Sequence, residues 1–195
     1  PTVCLTEIFR QAAQSAIVRN AHMINHGQLP DLRRNEGDFF FLSRREGQSA
    51  LDTIVDLCRR RLPERMGIPP DQIQVLSPTR RRSTGTRALN QALQQALNPP
   101  LEGKEERRFG DWVYREGDRV MQVRNNYDVL WREEHGTDSG MGMFNGDIGI
   151  IRSIEREVIT VDFEGKIVEY SPDMLGELEP AFAVTVHKAQ GSEYR

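Results

Sequence analysis

The stretch Ala181-Phe182-Ala183-Val184-Thr185-Val186 is followed at once by His187-Lys188-Ala189-Gln190-Gly191-Ser192-Glu193. A short apolar run of this kind predicts a buried strand. In open α/β sheets, ligands bind at the carboxyl ends of the strands. Here that end carries Thr, His and Lys side chains that can donate to phosphate oxygens, and Gly191 permits close approach of a ligand to the backbone. The alternative is an ordinary strand-to-helix turn with solvated polar residues, and the spacing alone favours neither.

Strand and helix patterns alternate upstream of this stretch. Short apolar runs at residues 38–42 and 73–76 predict two buried strands. Ser49 is a candidate helix cap, and Ser15 can interrupt the first helix and start a second one. Apolar residues at helical spacing predict helices over residues 6–24, 51–62 and 84–97. Strands that alternate with helices predict a parallel α/β layer.

Residues 109–179 differ from the rest of the chain in charge and in period. They carry a net charge of −9, against −3 for the whole sequence and +6 for the remainder. The polar, glycine-containing stretch between Asn125 and Asn145 predicts an exposed, mobile loop. Glu164-Gly165 is a candidate hairpin turn. Several short strands in about 70 residues predict a small antiparallel barrel; the candidates are residues 117–123, 146–151, 158–163 and 167–170.

Composition excludes several classes of protein. The pI near 5.9 argues against a nucleic-acid binder as a whole, although the basic remainder is compatible with such a surface. No apolar run approaches the roughly 18 residues of a membrane span, and the first residues lack a signal-peptide pattern. Cys4 and Cys58 are too few for a disulfide framework or a zinc site, and the histidines have no ligand-spaced partners. We therefore expect a cytoplasmic protein with reduced thiols, no metal site and no membrane partner.

Two arginines are candidates for contact with phosphate. Arg10 borders an apolar helix face, and its planar, permanently charged guanidinium suits a developing phosphate charge. The alternative for Arg10 is an ion pair with Glu7, three residues earlier. Arg80 lies in Ser77-Pro78-Thr79-Arg80-Arg81-Arg82, directly after a predicted strand, where Thr79 and Arg80 can follow a sugar-phosphate backbone. Charge runs are usually solvated, so pattern alone does not decide between these two interpretations.

Amides and aromatic residues flank the predicted loop at 125–145. Asn125-Asn126-Tyr127 precedes it and Phe144-Asn145-Gly146-Asp147 follows it. Such residues can contact the bases and phosphates of a single strand. Turn chemistry is the alternative, and we favour it for residues 145–147, whereas Asn126 and Tyr127 stay open.

Taken together, these stretches resemble the RecD-like superfamily 1 DNA helicases, of the exodeoxyribonuclease V alpha subunit type. Leu5-Thr6-Glu7-Ile8-Phe9-Arg10-Gln11-Ala12 resembles motif IV of that family, and Ala183 to Glu193 is similar to its motif V. Residues 75–80 and 85–98 resemble the stretch after motif IV. The inserted SH3-like barrel of the family is matched by residues 117–122, 125–128 and 144–149.

The resemblance implies a fold and a nucleotide site. Residues 1–108 and 180–195 would form part of the second RecA-like (P-loop NTPase-type) helicase domain, with a parallel sheet. Residues 109–179 would be the inserted small antiparallel SH3-like β-barrel. ATP with Mg²⁺ would bind in the cleft between two RecA-like domains. Arg10 would be the catalytic finger at the γ-phosphate, supported by Gln11, and Gly191 and Glu193 would approach the nucleotide from this side.

The resemblance also implies a DNA site. Single-stranded DNA would cross both RecA-like domains, and its phosphates would be bound by Thr79, Arg80, Thr185, His187 and Lys188. The strand or the duplex junction would lie near Asn125, Asn126 and Asn145.

The implied activity is that of an ATP-dependent DNA helicase. It would move on single-stranded DNA, 5′ to 3′, and unwind duplex in recombination and repair, alone or with other subunits of a nuclease complex. The sequence contains no Gly-x-x-x-x-Gly-Lys-Ser/Thr stretch, and Walker B and motif VI are missing as well. We therefore expect this part to be inactive alone and to bind no nucleotide tightly. The alternatives are a non-enzymatic nucleic-acid or protein-docking module, or the helicase part of a conjugative relaxase.

Overall fold

A computed structural model describes residues 15–33, 37–192 and 194. The chain divides into two compact units, one up to Arg45 and the other from Glu46 onward. The predictions for residues 6–14, which include Arg10 and Gln11, fall outside the described residues, as does the prediction for Glu193.

The first unit contains helix α1, Ala16–Asn25. Ser15 caps it by accepting a hydrogen bond from Val18 N at 3.1 Å, so Ser15 does start a helix, as one predicted alternative had it. Asp38 supports the same turn by accepting from Ala16 N at 2.8 Å. The strand predicted at residues 38–42 is wrong, because these residues form no strand and Phe40, Phe41 and Leu42 are 41–51% exposed. Apolar character alone does not make a strand, because a strand also requires backbone pairing with a neighbouring strand.

The second unit begins with helical segments. Helix α2, Gly47–Asp56, continues through a π-helical turn at Leu57–Arg61 into helix α3, Leu62–Met66. The residue that precedes α2 is Glu46, so the cap predicted at Ser49 is wrong. Gly67, at φ 67°, ends α3, since a glycine adopts this left-handed conformation without strain. Pro70–Gln72 forms a single 3₁₀ turn, and helix α4 runs from Thr86 to Leu97, close to its predicted bounds.

A parallel pair of strands lies against α4. Strand β1, Val75–Ser77, pairs with strand β11, Ala183–Thr185, in the register Val75 with Ala183 and Ser77 with Thr185. A small core of Cys58, Leu89, Leu93 and Ala183 joins this pair to the helices. A parallel α/β layer was predicted, but in the part of the chain that the structure describes it has only these two strands.

Most of the second unit is antiparallel instead. A seven-stranded sheet has the order β10-β4-β7-β8-β9-β5-β6 and curls into a half-barrel. Its strands are β4 (Arg119–Gln122), β5 (Asn126–Glu133), β6 (Ser139–Met143), β7 (Ile148–Glu155), β8 (Val158–Phe163), β9 (Lys166–Tyr170) and β10 (Leu178–Pro180). A 3₁₀ turn, Leu175–Glu177, precedes β10. A separate hairpin pairs β2, Glu106–Phe109, with β3, Trp112–Arg115.

The mobile loop predicted between Asn125 and Asn145 is wrong. Strands β5 and β6 form a hairpin there, and β5 also pairs with β9. The physical reason is that side chains alternate between the core and solvent, as they do in a β-strand. Val129 and Trp131 pack into the barrel core, while Leu130 and Arg132 face outward.

The turn predicted at Glu164-Gly165 does join β8 to β9. Both residues have positive φ, 55° and 93°, as a two-residue hairpin turn requires. The barrel core under these strands is aliphatic and aromatic; its fully buried members include Tyr114, Met143, Ile151, Ile159 and Tyr170.

Candidate nucleic-acid interface

Several predicted phosphate-binding side chains meet where β1 and β11 end. Because Ser77 is in register with Thr185, the two parallel strands finish at the same edge. Arg80 follows β1 after two residues, and Lys188 follows β11 after two residues. We call the group Thr79, Arg80, Glu179, Thr185 and Lys188 the strand-end cluster.

One carboxylate oxygen lies between the two cations of the strand-end cluster. Glu179 Oε2 is 3.6 Å from Arg80 Nη2 and 3.8 Å from Lys188 Nζ. The Arg80 side chain is 59% exposed, Glu179 is 40% exposed and Lys188 is 20% exposed. Burial lowers the pKa of Lys188; Arg80 acts in the same direction and Glu179 in the opposite one. An anionic oxygen is therefore already held between two positive groups at this edge.

The loop that carries Arg80 is fixed through its backbone. The buried Ser77 hydroxyl donates to Thr84 O at 2.8 Å and accepts from Thr79 N at 3.3 Å. Thr86 N, at the start of α4, donates to Thr79 O at 3.0 Å. The Thr79 backbone is thus already hydrogen-bonded within the loop, whereas the Arg80 guanidinium extends from this fixed backbone.

A tight turn carries the residues after β11. Lys188 N donates to Thr185 O at 2.9 Å, and Ala189 N donates to the same oxygen at 3.1 Å. Thr185 Oγ1 also accepts from Lys188 N, at 3.3 Å. His187 is exposed beside this turn. Gly191 is exposed at φ 84°, and a Cβ added there would meet nothing within 4 Å, so the backbone is open to a ligand.

A buried asparagine that the sequence analysis missed positions both halves of the strand-end cluster. Asn90, on α4, donates from Nδ2 to Pro180 O at 3.0 Å and to Ala183 O at 2.9 Å. Its Oδ1 accepts from Ala183 N at 2.8 Å. Glu179 and Thr185 lie on either side of this segment, so the amide fixes the chain that presents them. Asn90, Gln94 and Asn98 recur every four residues and are all buried, a stripe of amides that could have been found in the sequence.

A second group of predicted residues lies at one end of the barrel. Asn126 Nδ2 donates to both carboxylate oxygens of Glu177 at 3.0 Å, and the fully buried Gln122 donates to Glu177 Oε2 at 2.9 Å. Asn125 Oδ1 accepts from Asn145 N at 2.9 Å. These amides therefore hold turns together, which is the chemistry favoured for residues 145–147. We call Gln122, Asn125, Asn126, Asn145 and Glu177 the barrel-end cluster.

Exposed aromatic rings lie next to the barrel-end cluster. Tyr127 and Phe144 contact each other edge to face, with ring centroids 5.8 Å apart and planes at 78°. They are 65% and 48% exposed, and Leu130 and Met141 are exposed on the same hairpin. This hairpin thus offers ring faces and apolar side chains to solvent.

The structure groups the predicted residues as follows. Thr79, Arg80, Thr185 and Lys188 come together at the strand ends, with His187 beside them, while Asn125, Asn126 and Asn145 belong to the barrel end. Strand β10 and the turn before it connect the two groups, through Glu179 and Glu177. That each residue binds DNA stays a prediction.

The described residues contain neither a metal-binding cluster nor a membrane-spanning helix. Among residues 15–33, 37–192 and 194, no three His, Cys, Asp or Glu side chains are grouped so as to hold a metal ion. Within those residues no helix has the length and apolar character needed to cross a bilayer.

Comparison with known proteins gives consistent matches. The family described as the ATP-dependent RecD-like DNA helicase SH3 domain matches residues 89–163. An ATP-dependent RecD2 DNA helicase of Deinococcus radiodurans is 34% identical over 197 aligned residues, which cover 100% of this chain and 24% of the relative. An uncharacterized protein of Methanocaldococcus jannaschii is 27% identical over 146 residues, covering 64% of this chain and 12% of that protein.

One solved structure aligns with this chain with a TM-score of 0.49 and 19% identity. It describes DNA unwinding at forked double-stranded DNA by two coordinating Pif1 helicases. The alignment covers 97% of this chain and 41% of that chain. The chain spans about a quarter of the Deinococcus relative's length and about an eighth of the Methanocaldococcus protein's length. The resemblance stated from the sequence is thus confirmed, and the chain belongs to the RecD-like superfamily 1 DNA helicases.

Proposed function

We propose that this chain is part of an ATP-dependent DNA helicase and that its strand-end cluster binds the phosphates of single-stranded DNA. The observation that carries the proposal is the position of Glu179 Oε2, 3.6 Å from Arg80 and 3.8 Å from Lys188. A phosphate oxygen has the charge and size of that carboxylate oxygen. The two cations lie at the carboxyl edge of a parallel strand pair, where ligands of α/β proteins bind.

The chemistry of the strand-end cluster suits the backbone of DNA rather than its bases. Arginine and lysine bind phosphates through charge, and the hydroxyls of Thr79 and Thr185 with the exposed His187 flank them. Contacts of this kind carry no sequence information, so binding would have little sequence preference and a strong dependence on salt. Both properties suit a protein that moves along a strand.

The barrel end would contact the strand or the duplex junction. Tyr127 and Phe144 offer exposed rings on which bases could stack. Asn125, Asn126 and Asn145 lie beside those rings, although their amide groups already bond within the barrel. On this proposal the amides hold the shape of the contact surface, and the rings make the contact.

The nucleotide site is proposed from the family. ATP with Mg²⁺ would bind between this unit, as part of a second RecA-like domain, and another one, with Arg10 as finger and Gln11, Gly191 and Glu193 near the phosphates. Of these four, Gly191 alone is among the described residues, and its open backbone at φ 84° is compatible with close approach of a ligand. Movement 5′ to 3′, a role in recombination or repair, partner subunits of a nuclease complex and a cytoplasmic location belong to the same proposal.

The strand-end cluster is tested by substitution in the full-length protein. We expect Arg80→Ala and Lys188→Ala each to weaken binding of single-stranded DNA about tenfold, the effect of losing one charged contact worth roughly 1.5 kcal/mol. Each should also reduce the salt slope by about 0.7, the value for one phosphate of a single strand. Arg59→Ala, at an exposed position in the π-helical turn Leu57–Arg61, is the matched control and should change neither. Unchanged DNA binding in both cluster variants would refute the proposal.

The finger is tested separately. We expect Arg10→Ala in the full-length protein to leave DNA binding nearly intact while the ATPase rate falls by orders of magnitude, because a lost finger removes charge stabilisation in the transition state. Steady-state ATP hydrolysis on saturating single-stranded DNA measures this. Turnover like that of the unmodified protein would exclude the assignment.

A further inference from the structure

We propose that Glu179 is an internal competitor of the DNA phosphate: its carboxylate occupies the site between Arg80 and Lys188 when DNA is absent, and it speeds release when DNA is bound. The inference rests on the proposed function of the strand-end cluster. It assigns to Glu179 a positioning role that acts through two cations, without direct contact to the DNA.

The contacts of Glu179 are of the kind that a ligand can displace. Both cations approach the same oxygen, Oε2, and both distances, 3.6 and 3.8 Å, exceed the 2.7–3.2 Å of a good hydrogen bond. The Arg80 and Glu179 side chains are 59% and 40% exposed, so water screens the pair. A phosphate that forms direct hydrogen bonds to the same nitrogens would replace this loose arrangement.

The backbone of Glu179 cannot follow its side chain out of the site. Glu179 lies in strand β10 opposite Met121, and the next residue, Pro180, has its carbonyl held by Asn90. The carboxylate can therefore swing toward solvent but stays tethered to the cluster. A tethered group competes at a high effective concentration, whatever the amount of DNA present.

The charges also favour competition. Two cations face one carboxylate, so the site has a net charge of +1 with Glu179 ionised and would have +2 without it. The net positive charge of the site attracts a phosphate, and once the phosphate is bound, the Glu179 carboxylate repels it and favours its release. Such a balance suits stepwise movement, which requires each phosphate contact to form and to break.

The experiment replaces the carboxylate by its neutral isostere in the full-length protein, with oligothymidylate as the probe. We expect Glu179→Gln to bind this DNA about three- to tenfold more tightly, mainly through slower dissociation measured by stopped-flow fluorescence. The salt slope should steepen by about 0.7, because the net charge of the site rises from +1 to +2 when the carboxylate is removed. Release of a structural strain would not change that slope. DNA-stimulated ATP turnover should fall as release becomes slow.

Two controls make the result specific. Glu157→Gln removes the same charge from an exposed carboxylate that pairs with Arg107 at 3.9 Å, and it should leave the affinity and the salt slope unchanged. In a chain that carries Arg80→Ala and Lys188→Ala, adding Glu179→Gln should no longer tighten binding. Glu179→Asp, which keeps the charge on a shorter side chain, provides a second variant and should lie between the parent and the glutamine variant.

The outcomes separate this inference from the proposed function. If Arg80→Ala and Lys188→Ala weaken DNA binding but Glu179→Gln leaves it unchanged or weakens it, the competitor role is wrong and the phosphate site stands. If neither cation variant changes DNA binding, the proposed function itself fails. A gain in affinity that persists without both cations would also overturn the competitor role, since it would then arise elsewhere.

Discussion

Replacing Asn90 by alanine tests the arrangement that positions the strand-end cluster. The substitution removes three hydrogen bonds, to Pro180 O, Ala183 O and Ala183 N, whose lengths are 2.8–3.0 Å. Each such bond contributes about 1 kcal/mol net to stability, so the direct loss is about 3 kcal/mol. The side chain is 4% exposed, which leaves water little access to the freed groups. We expect the free energy of unfolding to fall by about 3 kcal/mol.

Equilibrium unfolding in urea, followed by circular dichroism, measures this loss. Gln91→Ala, on the exposed side of the same helix, is the matched control and should change stability by less than about 0.5 kcal/mol. If Asn90→Ala lowers the midpoint no more than Gln91→Ala does, the three bonds do not hold the junction and the reasoning is refuted. A change in the slope of unfolding instead of the midpoint would point to the denatured state.

Three further substitutions test the fold at single positions. A Cβ at Gly149 would lie 2.7 Å from Asp162 O, so Gly149→Ala should lose about 1–3 kcal/mol in urea unfolding, while Gly176→Ala, with open space, should stay neutral. Glu164 has a left-handed backbone conformation, φ 55°, that asparagine tolerates better, so Glu164→Asn should stabilise the protein by up to about 1 kcal/mol. An unchanged melting midpoint would contradict this expectation. Burial raises the pKa of the Cys58 thiol to about 11, above an unfolded value near 8.5. The contribution of this neutral thiol to the free energy of unfolding is therefore present below pH ~8.5 and is lost as the pH rises through about 11. Stability of the parent should therefore fall by up to about 3 kcal/mol more than that of Cys58→Ala over this range, and parallel pH curves would exclude the effect.

Local patterns predicted those elements whose partners lie nearby in the chain. Helix α4 and the turn at Glu164-Gly165 follow from apolar spacing and turn chemistry, and both appear close to where they were expected. The run at residues 38–42 has the same apolar character as β1 but forms no strand. The difference is tertiary, because Val75 pairs with Ala183, more than a hundred residues away, and a local pattern carries no information about such a partner.

The site was predictable in part for the same reason. Arg80 and Lys188 could be singled out because each follows an apolar strand, and Thr185 because it lies near the end of one. Glu179 could not, since its part in the cluster depends on β10 pairing with β4 and on a loop that begins at residue 78. The hairpin at residues 126–143 could not be predicted, because its glycines and charged residues are equally typical of a loop. The pairing of β5 with β9 decides in favour of a strand, and that pairing is not visible in the local sequence.

The junction between β10 and β11 sets a length for the strand-end cluster. Only Ala181 and Phe182 separate the last residue of β10 from the first of β11. Three Cα–Cα steps span at most about 11 Å, so the connection between the antiparallel sheet and the parallel pair is short. If DNA is bound at the barrel end, as proposed, tension on the DNA would reach the turn that carries Lys188 through this short connection. The separation of Glu179 and Thr185 within the strand-end cluster is therefore limited by the number of backbone atoms between them, whatever side chains occupy these positions.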